Sequence, residues 1–137
     1  MTGDRKPLEV TAAVIRREGR VLICQRPQGK NCAGLWEFPG GKTEPGEEAE
    51  TCIVRECREE LGLCLRVLRR WAVVEHAFPS FSVRLTFFIC EIEAGEVQPA
   101  EHAAVRWIAP EEAGAYAFCP ADAKMLSLTD LAAALEG

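Results

Sequence analysis

Glu56, Glu59 and Glu60 carry the most chemistry in their spacing. They fall in one stretch, Gly41 to Leu63, with the sequence GKTEPGEEAETCIVRECREELGL. Pro45 and Gly46 break the chain near its start, and Gly62 offers a left-handed stop near its end. Between them the residues predict a helix from about Glu47 to Leu61. At 3.6 residues per turn, Ala49, Cys52, Ile53, Cys57 and Leu61 form one apolar stripe. Glu56 and Glu60 lie one turn apart beside it, with Glu59 three residues beyond Glu56. Carboxylates that converge repel one another, and an oxygen-rich cluster suits Mg²⁺ or Mn²⁺. Arg55 stands one turn before Glu59, where it can orient it. The ordinary alternative is a solvated acidic helix face, which two adjacent glutamates alone would not exceed.

The full pattern is longer than that. Gly41, Glu47, Arg55-Glu56, Glu59-Glu60 and Gly62-Leu63 match every fixed position of G-x5-E-x7-R-E-U-x-E-E-x-G-U, where U is a bulky aliphatic. Only Cys57 departs, as a smaller apolar residue at the first U. The stretch therefore resembles the signature of the Nudix hydrolases. GLWEFPGGK, just before it, resembles the lead-in of MutT-type members. EVTAAVI, EHAAVRWIAPEEA and PAD extend the resemblance over nearly the whole chain, toward the MutT and CTP pyrophosphohydrolase branch.

That resemblance implies an α/β (α+β) fold, an α/β/α sandwich around a mixed, partly open sheet. It implies hydrolysis of a nucleoside triphosphate to the monophosphate and pyrophosphate, with Mg²⁺ (or Mn²⁺) as cofactor. By resemblance, the Gly40 carbonyl, Glu56, Glu59, Glu60 and Glu101 hold or order the metal. Glu56 is the nominated general base, and Arg55 and Glu47 support the site. Arg26 and Lys42 contact phosphate. Phe38 either meets the substrate or packs in the core, as does Trp36.

Asp122 follows the "PA" of the last loop, where MutT has an asparagine that reads the base. An amide donates and accepts, whereas an ionised carboxylate only accepts. An ionised Asp122 would suit an exocyclic amine such as cytosine N4, which shifts the expected preference toward cytosine nucleotides, 5-substituted or oxidised ones included, with 8-oxo-dGTP the other expected substrate. Its ordinary role would be to cap the last helix.

Two other readings share these residues. ADP-ribose hydrolases of the family carry a proline sixteen residues after the box, and Pro79 falls there. Nudix-like modules of adenine glycosylases read damaged DNA without hydrolysis, but usually with a degraded box; here its carboxylates are all present.

The rest of the chain must position these groups. At 137 residues it is expected to form a single domain, 1–137. A net charge of −5 argues against a nucleic-acid duplex as partner. No apolar run reaches the roughly 18–20 residues of a membrane span. The N-terminus, Met1 to Pro7, lacks the apolar core of a secretory signal, so cytoplasmic location is the expectation. Whether the protein is a monomer or homodimer is left open. Seven cysteines, an odd number without C-x-x-C, read as reduced and mostly buried. Leu8 to Arg16 and Val21 to Arg26 predict a hairpin, and Pro27 to Leu35 a polar loop. Leu65 to His76 and Phe81 to Glu91 predict a second hairpin, with Phe81, Val83, Leu85, Phe87 and Ile89 on one face. Ala104 to Ile108 reads as a short strand and Pro110 to Ala113 as a helical turn. Ala123 to Leu135 reads as a C-terminal helix, His76 as an ordinary surface or core residue, and His102 either as the same or as a neighbour of the metal site, the ordinary reading being favoured.

Overall fold

The strand β1, Leu8–Arg17, holds the architecture together in a computed structural model that describes residues 6–137. The reading of the N-terminus falls largely on residues 1–5, outside the described residues. Along one side β1 pairs in parallel with β6, Ser82–Ala94. Along the other it pairs antiparallel first with β4, Gly40–Lys42, then with β2, Arg20–Gln25. The sheet runs β3-β2-β1-β6-β5, where β3 is Trp36–Glu37 and β5 is Cys64–Ala77; β7, Ala104–Ile108, pairs with β2. One parallel pair among antiparallel ones makes the sheet mixed, as expected.

Both faces of the sheet are covered, because successive strand residues point to opposite sides. Ala12 and Val14 of β1 join Val21, Ile23, Leu85, Phe87 and Ile89 in one core, closed by Met125 and Leu131. Ala13 and Ile15 join Leu22, Cys24, Phe88 and Cys90 in the other, under the helix α1, Ala49–Leu61. The predicted single apolar face of β6 is therefore only half of it. Leu85, Phe87 and Ile89 do share one face, but Phe88 and Cys90 are equally buried on the other.

In α1 the stripe Cys52, Ile53, Cys57 and Leu61 is fully buried, as the periodicity predicts. Burying Ile53 and Leu61 contributes about 1.5–3 kcal/mol each. Gly62 ends the helix at φ +71°, and the Leu63 N–H returns to the Cys57 carbonyl. The helix starts two residues later than predicted. Glu47 belongs to the preceding turn, with its N–H on the Glu44 carbonyl and its carboxylate on the Glu44 N–H. The predicted C-terminal helix is also broken. Helix α2 runs Pro120–Leu128, and a separate 3₁₀ segment covers Leu131–Leu135. Thr129 adopts extended backbone and returns its hydroxyl to the Met125 carbonyl, while Asp130 starts the next turn by accepting from the Ala132 N–H.

All seven cysteines are free, five of them buried. Burial pushes the Cys90 thiol up to about 12. No helix of the described residues is long and apolar enough to cross a membrane.

Candidate active site

The box begins where β4 lies against β1, and glycine is required there for two separate reasons. A Cβ on Gly40 would collide with the backbone of Thr11 and Ala12. A Cβ on Gly41 would collide with the carboxyl group of Glu56. Gly40 thus lets two strands approach, and Gly41 makes room for an acidic side chain. The Thr11 hydroxyl donates to the Gly41 carbonyl at 3.2 Å, and the Ala13 N–H donates to the Pro39 carbonyl at 2.8 Å. The glycine turn is fastened to the central strand by these bonds.

Arg55 is the hub of the helix start. It grips Glu47 with two donors at 2.8 and 3.0 Å and reaches the Lys42 carbonyl at 3.3 Å. The same guanidinium stands 3.3 Å from Glu56 and 3.2 Å from Glu59. The hydrogen bonds from Arg55 hold the Glu47 carboxyl down at about 2. Glu47 and Arg55 therefore support the site through one another.

Beside them opens a cleft of about 760 Å³. Its walls include Gly40, Gly41, Lys42, Glu56, Glu60, Glu101, Arg26, Phe38 and Asp122. Glu59 alone of the predicted cation ligands is absent from these walls. Its side chain is 57% exposed and is engaged by Arg55, because a residue three positions after Glu56 is rotated round the helix relative to Glu60.

Glu60 is half-buried, and its Oε1 is fully buried with no hydrogen-bond partner. Burial raises its carboxyl well above the usual range, and Glu56, close enough to share a proton with it, raises it further. An orphaned, buried carboxylate oxygen beside a second carboxylate fits a hard divalent cation. Among the described residues no closed group of three or more side-chain ligands is formed. That also fits Mg²⁺, which takes one or two carboxylates and fills its shell with water and substrate phosphates. Glu56 and Glu60, with Glu101 and the Gly40 carbonyl in the same cleft, are the residues to hold it.

At the cleft's other end, Phe38 is only 2% exposed. It stacks on Phe118 with centroids 5.8 Å apart and meets Phe87 edge-on. Core packing thus accounts for most of Phe38, with a remaining edge on the cleft. Its N–H donates to Asp122 Oδ1 at 2.9 Å. Asp122 is 4% exposed, and burial pushes its carboxyl up to about 8, against the pull of the Phe38 N–H and with Glu37 adding to the rise. Burial therefore favours the protonated form of Asp122 over the ionised one expected from the sequence, and a protonated acid donates as well as accepts. The N-cap position of α2 is held by Cys119 without a side-chain bond, and Asp122 lies in the first turn rather than at the cap.

Arg26 donates to the Asn31 carbonyl at 2.9 Å and stands 3.5 Å from Glu37. Lys42 is exposed at the rim.

One site residue, Glu37, escapes the sequence reading, and a second, His102, reads there as a neighbour of the metal site only as the less favoured alternative. Glu37 lines the cleft between two aromatic neighbours, and its Oε2 lies 3.1 Å from Nε2 of His102. The His102 side chain is buried among carboxylates, which favours the site-neighbour reading over the ordinary one. The available signal was a charged residue between Trp36 and Phe38, in an otherwise apolar segment.

Comparison with known proteins gives the same picture. A family model described as a NUDIX domain matches residues 10–128. The chain is 41% identical over 121 residues to a CTP pyrophosphohydrolase of Escherichia coli K12, covering 88% of this chain and 90% of that one. It is 39% identical over 87 residues to an 8-oxo-dGTP diphosphatase of Proteus vulgaris, covering 63% and 78%. The crystal structure of a MutT NUDIX hydrolase from Burkholderia pseudomallei superposes with a TM-score of 0.80 at 27% identity, covering 90% of this chain and 98% of that one.

Proposed function

This chain belongs to the Nudix hydrolases, and from that premise we propose that it hydrolyses nucleoside or deoxynucleoside triphosphates to the monophosphate and pyrophosphate. The observation that carries the reading is the single cleft that joins the box carboxylates to basic groups and to Asp122. Its substrate is a triphosphate of a cytosine or an oxidised guanine base. The relatives named for CTP and for 8-oxo-dGTP support both arms.

Each residue has a task. Arg26 and Lys42 attract and orient the phosphate chain. Glu56 takes the proton of the attacking water, which adds to phosphorus while the α–β anhydride bond breaks. Arg55 and Glu47 keep Glu56 in place. A bound divalent cation supplies charge neutralisation and a more acidic water. Glu60 gives up its proton as that cation binds, since ligating carboxylates must be ionised. Calorimetric titration with Mg²⁺ in buffers of different ionisation enthalpy should therefore register proton release at neutral pH, and Glu60→Gln should abolish it.

Asp122 reads the base edge as a protonated acid. Like an amide, it serves an oxo group and an amine alike, so the preference for cytosine expected of an ionised group is lost. Above about pH 8 it loses its donor. The expected result is that kcat/KM falls along that limb in the wild type, and that Asp122→Asn, which keeps donor and acceptor at every pH, removes the fall. Stability has its own sign. A carboxyl raised from 3.8 to about 8 costs the folded state progressively more as pH rises between those values. Melting of the metal-free protein should therefore be highest at or below about pH 4 as far as Asp122 contributes, and fall up to about pH 8, with a flatter profile in Asp122→Asn.

The deciding experiment is pyrophosphate release with Mg²⁺ from the ordinary NTPs and dNTPs, 8-oxo-dGTP and 5-substituted cytosine nucleotides, with ADP-ribose as control. Turnover of ADP-ribose alone, or of nothing, would overturn the reading.

A further inference from the structure

We propose that His102 is a positioning residue that holds Glu101 in the cleft and fixes Glu37 on its wall, an inference that rests on the cation site described above. The segment after β6 returns along the end of α1, where the Gln98 N–H donates to the Leu61 carbonyl and the Ala100 N–H to the Glu60 carbonyl. It then meets β2 through the Ala103 N–H on the Gln25 carbonyl. Between these backbone anchors stand Glu101 and His102. Glu101 is exposed and lines the cleft. His102 goes the other way: its side chain is 5% exposed and lodges between two acidic residues from different elements.

Nε2 lies 3.1 Å from Glu37 Oε2 and 3.9 Å from Glu60 Oε1. A carboxylate only accepts, so the proton of this contact sits on Nε2. Glu37's other oxygen faces Arg26 at 3.5 Å. The Glu37 carboxylate is thus held on both sides, by the end of β2 and by the returning segment. Nδ1 is buried without a hydrogen-bond partner, so the contact through Nε2 is what orients the ring. With the imidazole anchored, the adjoining Glu101 is held at the cleft mouth rather than free to swing into solvent. Outer-shell groups that orient a cation ligand are worth about 10–100-fold in metal affinity, and His102 acts one step further back, through the backbone it shares with Glu101, which places its effect at the lower end.

The test is direct Mn²⁺ binding to the nucleotide-free protein, followed by paramagnetic resonance of the free ion, with melting curves as a check of folding. Two substitutions of similar size separate position from bulk. The terminal amide of His102→Gln reaches the place of Nε2 and can donate to Glu37. That of His102→Asn stops near Nδ1 and cannot. The expected result is Mn²⁺ binding about 10-fold weaker in His102→Asn and mostly restored in His102→Gln. Glu101→Gln should weaken binding too, and His102→Asn should add little on top of it, because both act through one ligand. Equal losses in the two histidine variants, no loss in either, or full additivity with Glu101→Gln would overturn the proposal. If Glu101→Gln and Glu60→Gln left Mn²⁺ binding unchanged, the cation site itself would be misassigned and the role of His102 would fall with it.

Discussion

Glu56→Gln should lower kcat by roughly 10³-fold, within the 10²–10⁴ range of general-base catalysis, with little change in KM. The amide keeps the shape of the side chain but takes no proton from water and offers one ligand oxygen in place of two. Arg55 stands 3.3 Å from Glu56 and keeps its bidentate grip on Glu47, so the helix start is retained. Stability should not fall. Removing one of two adjacent acidic groups relieves the strain that raises Glu60, and the metal-free protein should melt at the same temperature or slightly higher. Pyrophosphate release and thermal melting measured together test this. A variant that keeps activity within about tenfold of wild type would move the base to another carboxylate.

The second large effect separates two neighbouring glycines. Gly40→Ala drives a methyl group into the backbone of Thr11 and Ala12, which cannot yield without moving β1. Overpacking against backbone should cost about 3 kcal/mol or more, lowering the melting temperature by roughly 10 °C in a chain of this size. Gly41→Ala drives the same methyl into the Glu56 carboxyl, the end of a flexible side chain. Here the structure gives way cheaply, but the displaced group is the proposed general base. Melting should change little, while activity drops on the scale of Glu56→Gln. If both variants lost stability equally, the steric distinction between the two glycines would be wrong.

The box was legible because its signals are local. A 3.6-residue stripe, a terminal glycine and carboxylates one turn apart need no partner from elsewhere to be recognised. The helix start was misplaced by two residues because Gly46 and the Glu44–Glu47 bond hold Glu47 outside the helix. β3 and β4 were invisible as strands: two and three residues long, they exist because β2 and β1 offer edges to pair with. The break at Thr129 and Asp130 was hidden by the apolar residues on either side. Glu37 was missed, and His102 underrated, for a deeper reason. They are 65 residues apart, and each acquires its meaning from the other. Asp122 was found, but its protonation was not, since burial by Phe38 and its surroundings is a tertiary property.

The bonds that fasten Pro39 and Gly41 to β1 also bear on how the molecule breathes. β1 lies between the parallel β6 and the antiparallel β4 and β2, with a core on either face. Its amides can exchange with solvent only when that whole arrangement opens. The Ala13 amide, committed to the Pro39 carbonyl, shares that fate. The glycine turn therefore belongs to the slowest-opening unit of the fold rather than to a mobile lid. Catalytic competence and global folding are, at this end of the cleft, a single cooperative transition.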